Sequence, residues 1–175
     1  AKTAGFCMGV RRAVDMVLDA SNNSQEEPLY TYGPLIHNPQ VLEMLEGKNI
    51  LRLDSIPDKG RGIVLIRAHG VPPEDEQALQ DAGFTILNAT CPRVIKVQII
   101  IHKYAKQGYS TIIIGDERHP EVIGLLGYTK EMGYTVTSMD QLKKLPEFDK
   151  AVIVAQTTQD SMFYGQIKKW CAIHA

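Results

Sequence analysis

Apolar positions along this chain fall in two alternating rhythms. Short runs rich in β-branched and aromatic residues read as strands: Leu29 to Tyr32, Ile50 to Leu53, Ile63 to Ile66, Thr85 to Leu87, Thr111 to Ile114, Tyr134 to Thr137 and Ala151 to Val154. Between them the apolar residues are spaced three and four apart, as in Val10, Ala13, Val14, Val17 and Leu18, or Val122, Ile123, Leu125 and Leu126. That spacing predicts helices with one buried stripe. Their limits carry chemical signals. The first helix closes in the polar loop Ser21-Asn22-Asn23-Ser24. Asn38-Pro39 supplies an N-cap and first helical residue, and Gly47 a stop; Pro72-Pro73 opens the next helix and Gly83 ends it. A helix from Arg93 to Gln107 stops at Gly108, another follows His119-Pro120, a short one runs from Asp140 to Leu145, and the last starts near Asp160. Ile63-Val64-Leu65-Ile66 is almost unbroken aliphatic sequence, which suits a strand covered on both faces of a parallel sheet. Strict alternation of strand and helix predicts an α/β fold of parallel units. The pattern restarts after Cys91, so the expected domains are 9–91 and 92–175.

Composition narrows the classes. A length of 175 residues allows one large or two small domains, and 44% hydrophobic with 22% charged residues is ordinary for a globular protein. The net charge of −1 with no basic cluster points to neither nucleic acid nor an anionic membrane surface. No apolar run approaches the roughly 18 residues of a membrane span, and no secretory apolar stretch opens the chain. The three cysteines, Cys7, Cys91 and Cys171, form neither a C-x-x-C pair nor a disulfide framework, which suggests a reducing cytoplasm. The chain starts Ala1-Lys2-Thr3-Ala4 without a methionine and reaches Gly5-Phe6-Cys7 at once, where an alternating fold has a strand. Residues 1–8 therefore read as a truncated stub.

In open parallel sheets ligands bind beyond the carboxyl ends of the strands. His37, His69, Cys91, His119 and the run Gln156-Thr157-Thr158 all fall just after predicted strands, and Cys7 would follow a strand that the chain does not include. Three of the five histidines share this rim; His102 lies within a helix and His174 at the terminus. Cys91, between a strand end and a helix start, is placed where backbone amides and the helix dipole favour a thiolate. A buried packing thiol is the competing reading of Cys91. Cys171, beside Trp170 on the last helix, reads as a core or half-exposed thiol. Glu121 is either functional or a favourable charge in a helix's first turn, and Thr157 either functional or a cap. Taken together, thiolates suit zinc or an iron–sulfur centre, and imidazoles with backbone amides and a hydroxyl suit a phosphate. Structural zinc normally uses close ligand pairs, and Cys7 and Cys91 are far apart.

With these residues in view, the sequence resembles the 4-hydroxy-3-methylbut-2-enyl diphosphate reductase (LytB) family. Gly5-Phe6-Cys7-Met8-Gly9-Val10, Ile36-His37-Asn38, Ala68-His69-Gly70-Val71, Ala89-Thr90-Cys91-Pro92, His119-Pro120-Glu121-Val122 with Gly124, and Gln156-Thr157-Thr158 stand in the family's order. The resemblance implies a trefoil of three α/β domains around a [4Fe-4S] cluster held by three cysteines, with one iron open to substrate. It implies reductive removal of the allylic hydroxyl of 4-hydroxy-3-methylbut-2-enyl diphosphate, giving isopentenyl and dimethylallyl diphosphate. This is the last step of the non-mevalonate isoprenoid pathway. By the same resemblance Cys7 and Cys91 ligate the cluster. His37, His69 and His119 bind the diphosphate, with His119 also near the proton path. Glu121 donates the proton, and Thr157 positions the hydroxyl. A ferredoxin or flavodoxin is the implied electron donor, and the cytoplasm or a plastid stroma the implied compartment.

The departure from the family's pattern is at the end. The third cluster cysteine and a further diphosphate-binding segment belong to a third domain, which the chain lacks, and the stub 1–8 belongs with it. The expectation is therefore two of three domains, inactive in isolation. Two alternatives remain: a quinolinate-synthase-like iron–sulfur dehydratase, against which the grouped histidine motifs speak, and a non-enzymatic phosphate-binding module with incidental thiols.

Overall fold

Aliphatic runs four or five residues long are too short to stand alone, and here each is paired in a parallel sheet. The computed structural model describes residues 5–23, 27–36 and 38–174. Among these residues the order is α1 (Met8–Asn23), β1 (Leu29–Tyr32), α2 (Pro39–Glu46), β2 (Ile50–Leu53), β3 (Ile63–Ile66), α3 (Pro73–Asp81), β4 (Thr85–Asn88), α4 (Pro92–Ala105), β5 (Ser110–Ile114), α5 (Pro120–Leu126), β6 (Gly133–Val136), α6 (Met139–Leu142), β7 (Ala151–Ala155) and α7 (Ser161–His174). The chain divides into two compact units, Ala1–Pro92 and Arg93–Ala175. The α/β class with parallel sheets, expected from the alternation of strand and helix, is what the structure has.

Unit 1 holds a four-stranded sheet in the order β2-β1-β3-β4, all parallel. Successive side chains of a strand point to opposite faces, and each face is covered. On one, Leu29, Ile50 and Leu65 pack with Ala13, Val14 and Val17 of α1 and Leu45 of α2. On the other, Val64 packs with Leu79 of α3 and Phe84, flanked by Tyr30, Tyr32 and Ile86. Val64, Leu65 and Ile66 are wholly buried, each worth roughly 1.5–3 kcal/mol in removed apolar surface. The unbroken aliphatic run is thus a central strand.

Unit 2 holds a three-stranded parallel sheet in the order β6-β5-β7. Ile112, Ile114 and Val136 form one core with Leu142 of α6 and Ile167 of α7. Thr111 and Ile113, pointing the other way on β5, are also wholly buried.

The strand orders decide where a ligand can enter. In unit 1 the chain moves from β1 outward to β2, then returns to β3 on the other side of β1. In unit 2 it moves from β5 to β6 and returns to β7 on the other side of β5. At such a switch point the two loops leaving the carboxyl ends diverge and open a crevice. The switch points, where such a crevice is expected, lie beyond the carboxyl ends of β1/β3 and of β5/β7.

Some limits differ from the sequence reading. α1 runs on through Ser21, Asn22 and Asn23 instead of ending before them. Ser and Asn cost a helix only about half a kcal/mol each, and no glycine or proline stands there to stop it. α4 passes into turns after Ala105, with Gln107 N–H bonded to the Tyr104 carbonyl, before Gly108 at φ 77° ends it. α6 closes at Leu142, with Lys144 and Leu145 in following turns.

Candidate functional site

In unit 2 the crevice is organised around a carboxyl group. β5 ends at Ile114, and the loop after it leads to α5, whose start is fixed by His119: the ring Nδ1 accepts the Glu121 N–H at 3.1 Å. In a neutral ring that leaves the proton on Nε2. Glu121 is only 1% exposed, so its first-turn position is no mere surface charge. Its Oε1 accepts the Thr157 N–H at 2.6 Å and its Oε2 accepts the Thr157 hydroxyl at 2.7 Å. A buried carboxyl is tolerated only when its oxygens are satisfied in this way. Thr157 itself is exposed, and α7 is capped by Asp160, whose Oδ1 accepts the Met162 N–H. The capping reading of Thr157 is thereby corrected.

The loops can meet this closely because Gly115 has no side chain. A Cβ there would lie 2.8 Å from Val122 Cγ2 and 2.9 Å from Gln156 Oε1. Chemically, the Glu121–Thr157 contact is reversible. If Oε2 carries a proton, it donates to Thr157 Oγ1, and the hydroxyl hydrogen turns outward to the crevice. A buried acid is then connected to the hydroxyl of an exposed residue.

In unit 1 the two rim cysteines stand just before helices. Cys7 is exposed, and its carbonyl accepts the Arg11 N–H as α1 begins. Cys91 is half-buried directly before α4. Its Sγ lies against the first turn of α1, where a Cβ on Gly9 would sit 2.9 Å from the sulfur. Three bonds hold the Cys91 loop: Arg12 Nη1 donates to the Thr90 carbonyl at 3.3 Å, Thr90 N–H donates to Asn88 Oδ1 at 2.9 Å, and Cys91 N–H donates to the Ala68 carbonyl at 2.9 Å. The last bond ties the thiol's loop to the turn that carries His69, which is half-buried with Nδ1 shielded from solvent. That turn closes with Gly70 N–H on the Arg67 carbonyl and Gly70 at φ 74°. His37 lies outside the described residues. Among the described residues no three His, Cys, Asp or Glu side chains converge as a metal site.

The same crevice holds a charge that sequence reasoning passed over. Arg67 follows β3 directly, and its Nη1 lies against Gly33, where a Cβ would be 2.8 Å away. Tyr32 donates its hydroxyl to Asp75 Oδ2 at 3.1 Å. Burial, reinforced by Asp75, pushes the Tyr32 phenol up to about 12. Burial also lowers the Arg67 guanidinium from its usual range, against the pull of Tyr32 and Asp75. Cys171 is half-buried on α7, and burial pushes its thiol up, in keeping with a packing role.

This arrangement has known counterparts. The family model described as LytB protein matches residues 1–174. The chain belongs to the LytB family. Among its relatives, the 4-hydroxy-3-methylbut-2-enyl diphosphate reductase of Caldanaerobacter subterraneus subsp. tengcongensis is 40% identical over 161 residues, covering 90% of this chain and 56% of that protein. The reductase of the same name from Aquifex aeolicus is 37% identical over 177 residues, covering 97% and 61%. A solved structure of (E)-4-hydroxy-3-methyl-but-2-enyl diphosphate reductase, described as the terminal enzyme of the non-mevalonate pathway, superposes with a TM-score of 0.87 at 36% identity. It is matched over 97% of this chain and 61% of its own. The corresponding reductase structure from Plasmodium falciparum gives 0.85 at 29% identity, over 94% and 52%. The chain thus spans little more than half the length of the LytB relatives it matches. Among the described residues no helix is long and apolar enough to cross a membrane.

Of the residues singled out in the sequence, the structure brings Glu121, Thr157 and His119 together in unit 2, and links the turn of His69 to Cys91 in unit 1. Gly9, Arg12, Arg67 and Gly115 were not singled out individually. The only sequence signal for Arg67 was a charge at the end of an otherwise aliphatic strand, which a two-faced buried strand accepts only at its exit.

Proposed function

We propose that this LytB-family chain carries substrate-binding and proton-handling residues of a reductase that removes the allylic hydroxyl of 4-hydroxy-3-methylbut-2-enyl diphosphate. In the overall reaction two electrons and two protons enter, the C–O bond breaks, and the oxygen leaves as water. A C–H bond forms on the allylic carbon frame, giving isopentenyl or dimethylallyl diphosphate. The observation that carries the reading is the Glu121–Thr157 pair: a carboxyl 1% exposed, spending both oxygens on one threonine at the crevice rim.

The roles follow from what each group can do. Thr157, itself an exposed residue, holds the substrate hydroxyl through its Oγ1. Glu121 in its protonated form resupplies that hydroxyl, so a proton reaches the leaving oxygen without bulk water entering. General acid help of this kind is worth roughly 10²–10⁴ in rate. His119, its Nδ1 engaged by the α5 backbone, presents Nε2–H to a phosphate oxygen or to the proton path. His37 and His69 take the diphosphate in unit 1. Cys7 and Cys91 are the ligands on this chain for an iron–sulfur cluster, a [4Fe-4S] cubane on this reading. The donor set supports that assignment: two thiols at helix starts, one lying where Gly9 leaves room for nothing larger than hydrogen. When bound, such a cluster supplies the electrons and a Lewis-acidic iron. A small ferredoxin or flavodoxin in a reducing compartment is the fitting electron donor.

The test is E121Q in the full reading frame, reconstituted anaerobically with iron and sulfide and assayed with a reduced dye. Glutamine keeps the shape and can still accept the Thr157 N–H, but it has no proton to give. Turnover should fall at least about a hundredfold, with cluster absorbance and iron content unchanged. Undiminished turnover would refute the role of Glu121. Failure of the wild-type protein to reduce the allylic diphosphate would refute the function.

A further inference from the structure

The cation in the unit 1 crevice has no part in the roles above. Arg67 leaves β3 and Gly33 leaves β1, so the two stand on the diverging loops of the switch point, with Nη1 pressed against the glycine. Its Nε is shielded from solvent and meets no hydrogen-bond acceptor among the described residues. The carboxylate that acts on it, Asp75, is engaged by the Tyr32 hydroxyl and makes no ion pair with Arg67. Desolvating a cation is costly unless an anion repays it. The fold therefore holds a half-buried guanidinium that Asp75 balances only at a distance, with no ion pair and no acceptor for its Nε among the described residues.

Its surroundings indicate which anion fits. Arg67 opens the turn that carries His69, and the next residue, Ala68, holds the Cys91 amide. A planar guanidinium fork matches two phosphate oxygens and stays charged over the whole physiological range. We infer that Arg67 is a further phosphate-binding residue, contacting the diphosphate of the substrate beside His69. The inference deepens the reductase reading and rests on it for the substrate's organic part, but the phosphate contact can be tested alone.

The experiment titrates inorganic diphosphate calorimetrically into the reconstituted full-length protein, as wild type, R67M and R67K, with melting curves and steady-state kinetics alongside. R67M should bind diphosphate about tenfold more weakly, as loss of one charged hydrogen bond to an anion implies, and R67K should recover part of that loss. KM for the allylic diphosphate should rise by a similar factor, with kcat within about twofold. The melting temperature of R67M should hold or rise, because an apolar chain replaces a half-buried cation whose Nε meets no acceptor among the described residues. Wild-type affinity in R67M, or no diphosphate binding by the wild type, would overturn the inference. So would a lowered melting temperature with unchanged KM, since that marks a purely structural arginine. If the Arg67 effect on diphosphate holds but the wild type does not reduce the allylic substrate, the inference stands and the reductase reading falls.

Discussion

The two units use one device with different charge. In each, a glycine directly after the first switch strand presses against the residue directly after the second: Gly33 on Arg67 in unit 1, Gly115 on Gln156 in unit 2. In unit 2 the contact is neutral, and the charge beyond it, Glu121, is enclosed and fully satisfied by Thr157. In unit 1 the contact is itself the charge, and Arg67 Nε has no acceptor among the described residues. Similar topology thus prepares two different tools. One crevice is finished before any ligand arrives and suits an internal proton. The other leaves the Nε of a positive group without an acceptor among the described residues and suits an anion from outside.

The comparison can be broken most severely at Glu121. E121Q should cost at least about a hundredfold in turnover while leaving the protein folded, whereas R67M should act on substrate affinity and leave kcat nearly untouched. If both substitutions act on kcat alone, the division of labour is wrong. T157V tests the finished crevice from its other side. It keeps the Thr157 N–H but deletes the hydroxyl, and should lower turnover about tenfold or more and stability by about 2 kcal/mol, the worth of a hydrogen bond to a charged group. T157S should restore both, as read by steady-state rates and denaturant melts.

The glycines sharpen the contrast in packing. G115A places a methyl 2.8 Å from Val122 Cγ2 and 3.0 Å from Gln156 Cβ, a crowded site that should cost about 1–3 kcal/mol. G33A meets only the end of the flexible Arg67 side chain. Its cost, about 1 kcal/mol, comes from a φ of 68° that alanine adopts unwillingly. Equal losses in urea melts would show that the two contacts are not so different.

The smallest effect concerns Tyr32. Its phenol is held protonated up to about 12, against an ordinary value of 10.0. Below pH 10 both folded and unfolded states keep the proton, and the stabilisation is fully present. Between pH 10 and 12 the unfolded chain loses the proton first, so this contribution falls as pH rises. The difference between wild type and Y32F should therefore shrink across that interval and be flat from pH 6 to 9. A difference that grows with pH would contradict it.

What the sequence made legible was mostly local. The runs at Ile63 and Thr111 read as buried strands and are the central strands of their sheets, and Asn38-Pro39 named a helix start that the structure repeats, with Asn38 Oδ1 accepting the Val41 N–H. The end of α1 was misread because Ser21, Asn22 and Asn23 favour turns only weakly, and a helix with a well-buried stripe carries them along. Glu121 could not be resolved between a surface charge and a buried acid, because its partner Thr157 is 36 residues away and pairing at that distance leaves no local signature. Arg67 was missed for a related reason. Its meaning lies in what its Nε lacks, and the absence of an acceptor there among the described residues is a property of three-dimensional neighbours.

The bond from the Cys91 amide to the Ala68 carbonyl has a consequence for motion. One backbone proton is shared between the loop of the thiol and the turn of His69, so neither can open by itself without releasing it. Its exchange with deuterium thus becomes a single gauge for two functional loops. A slow rate would mean that both swing as one cooperative piece, and a ligand that grips only the histidine turn would slow the exchange of a proton beside the cysteine.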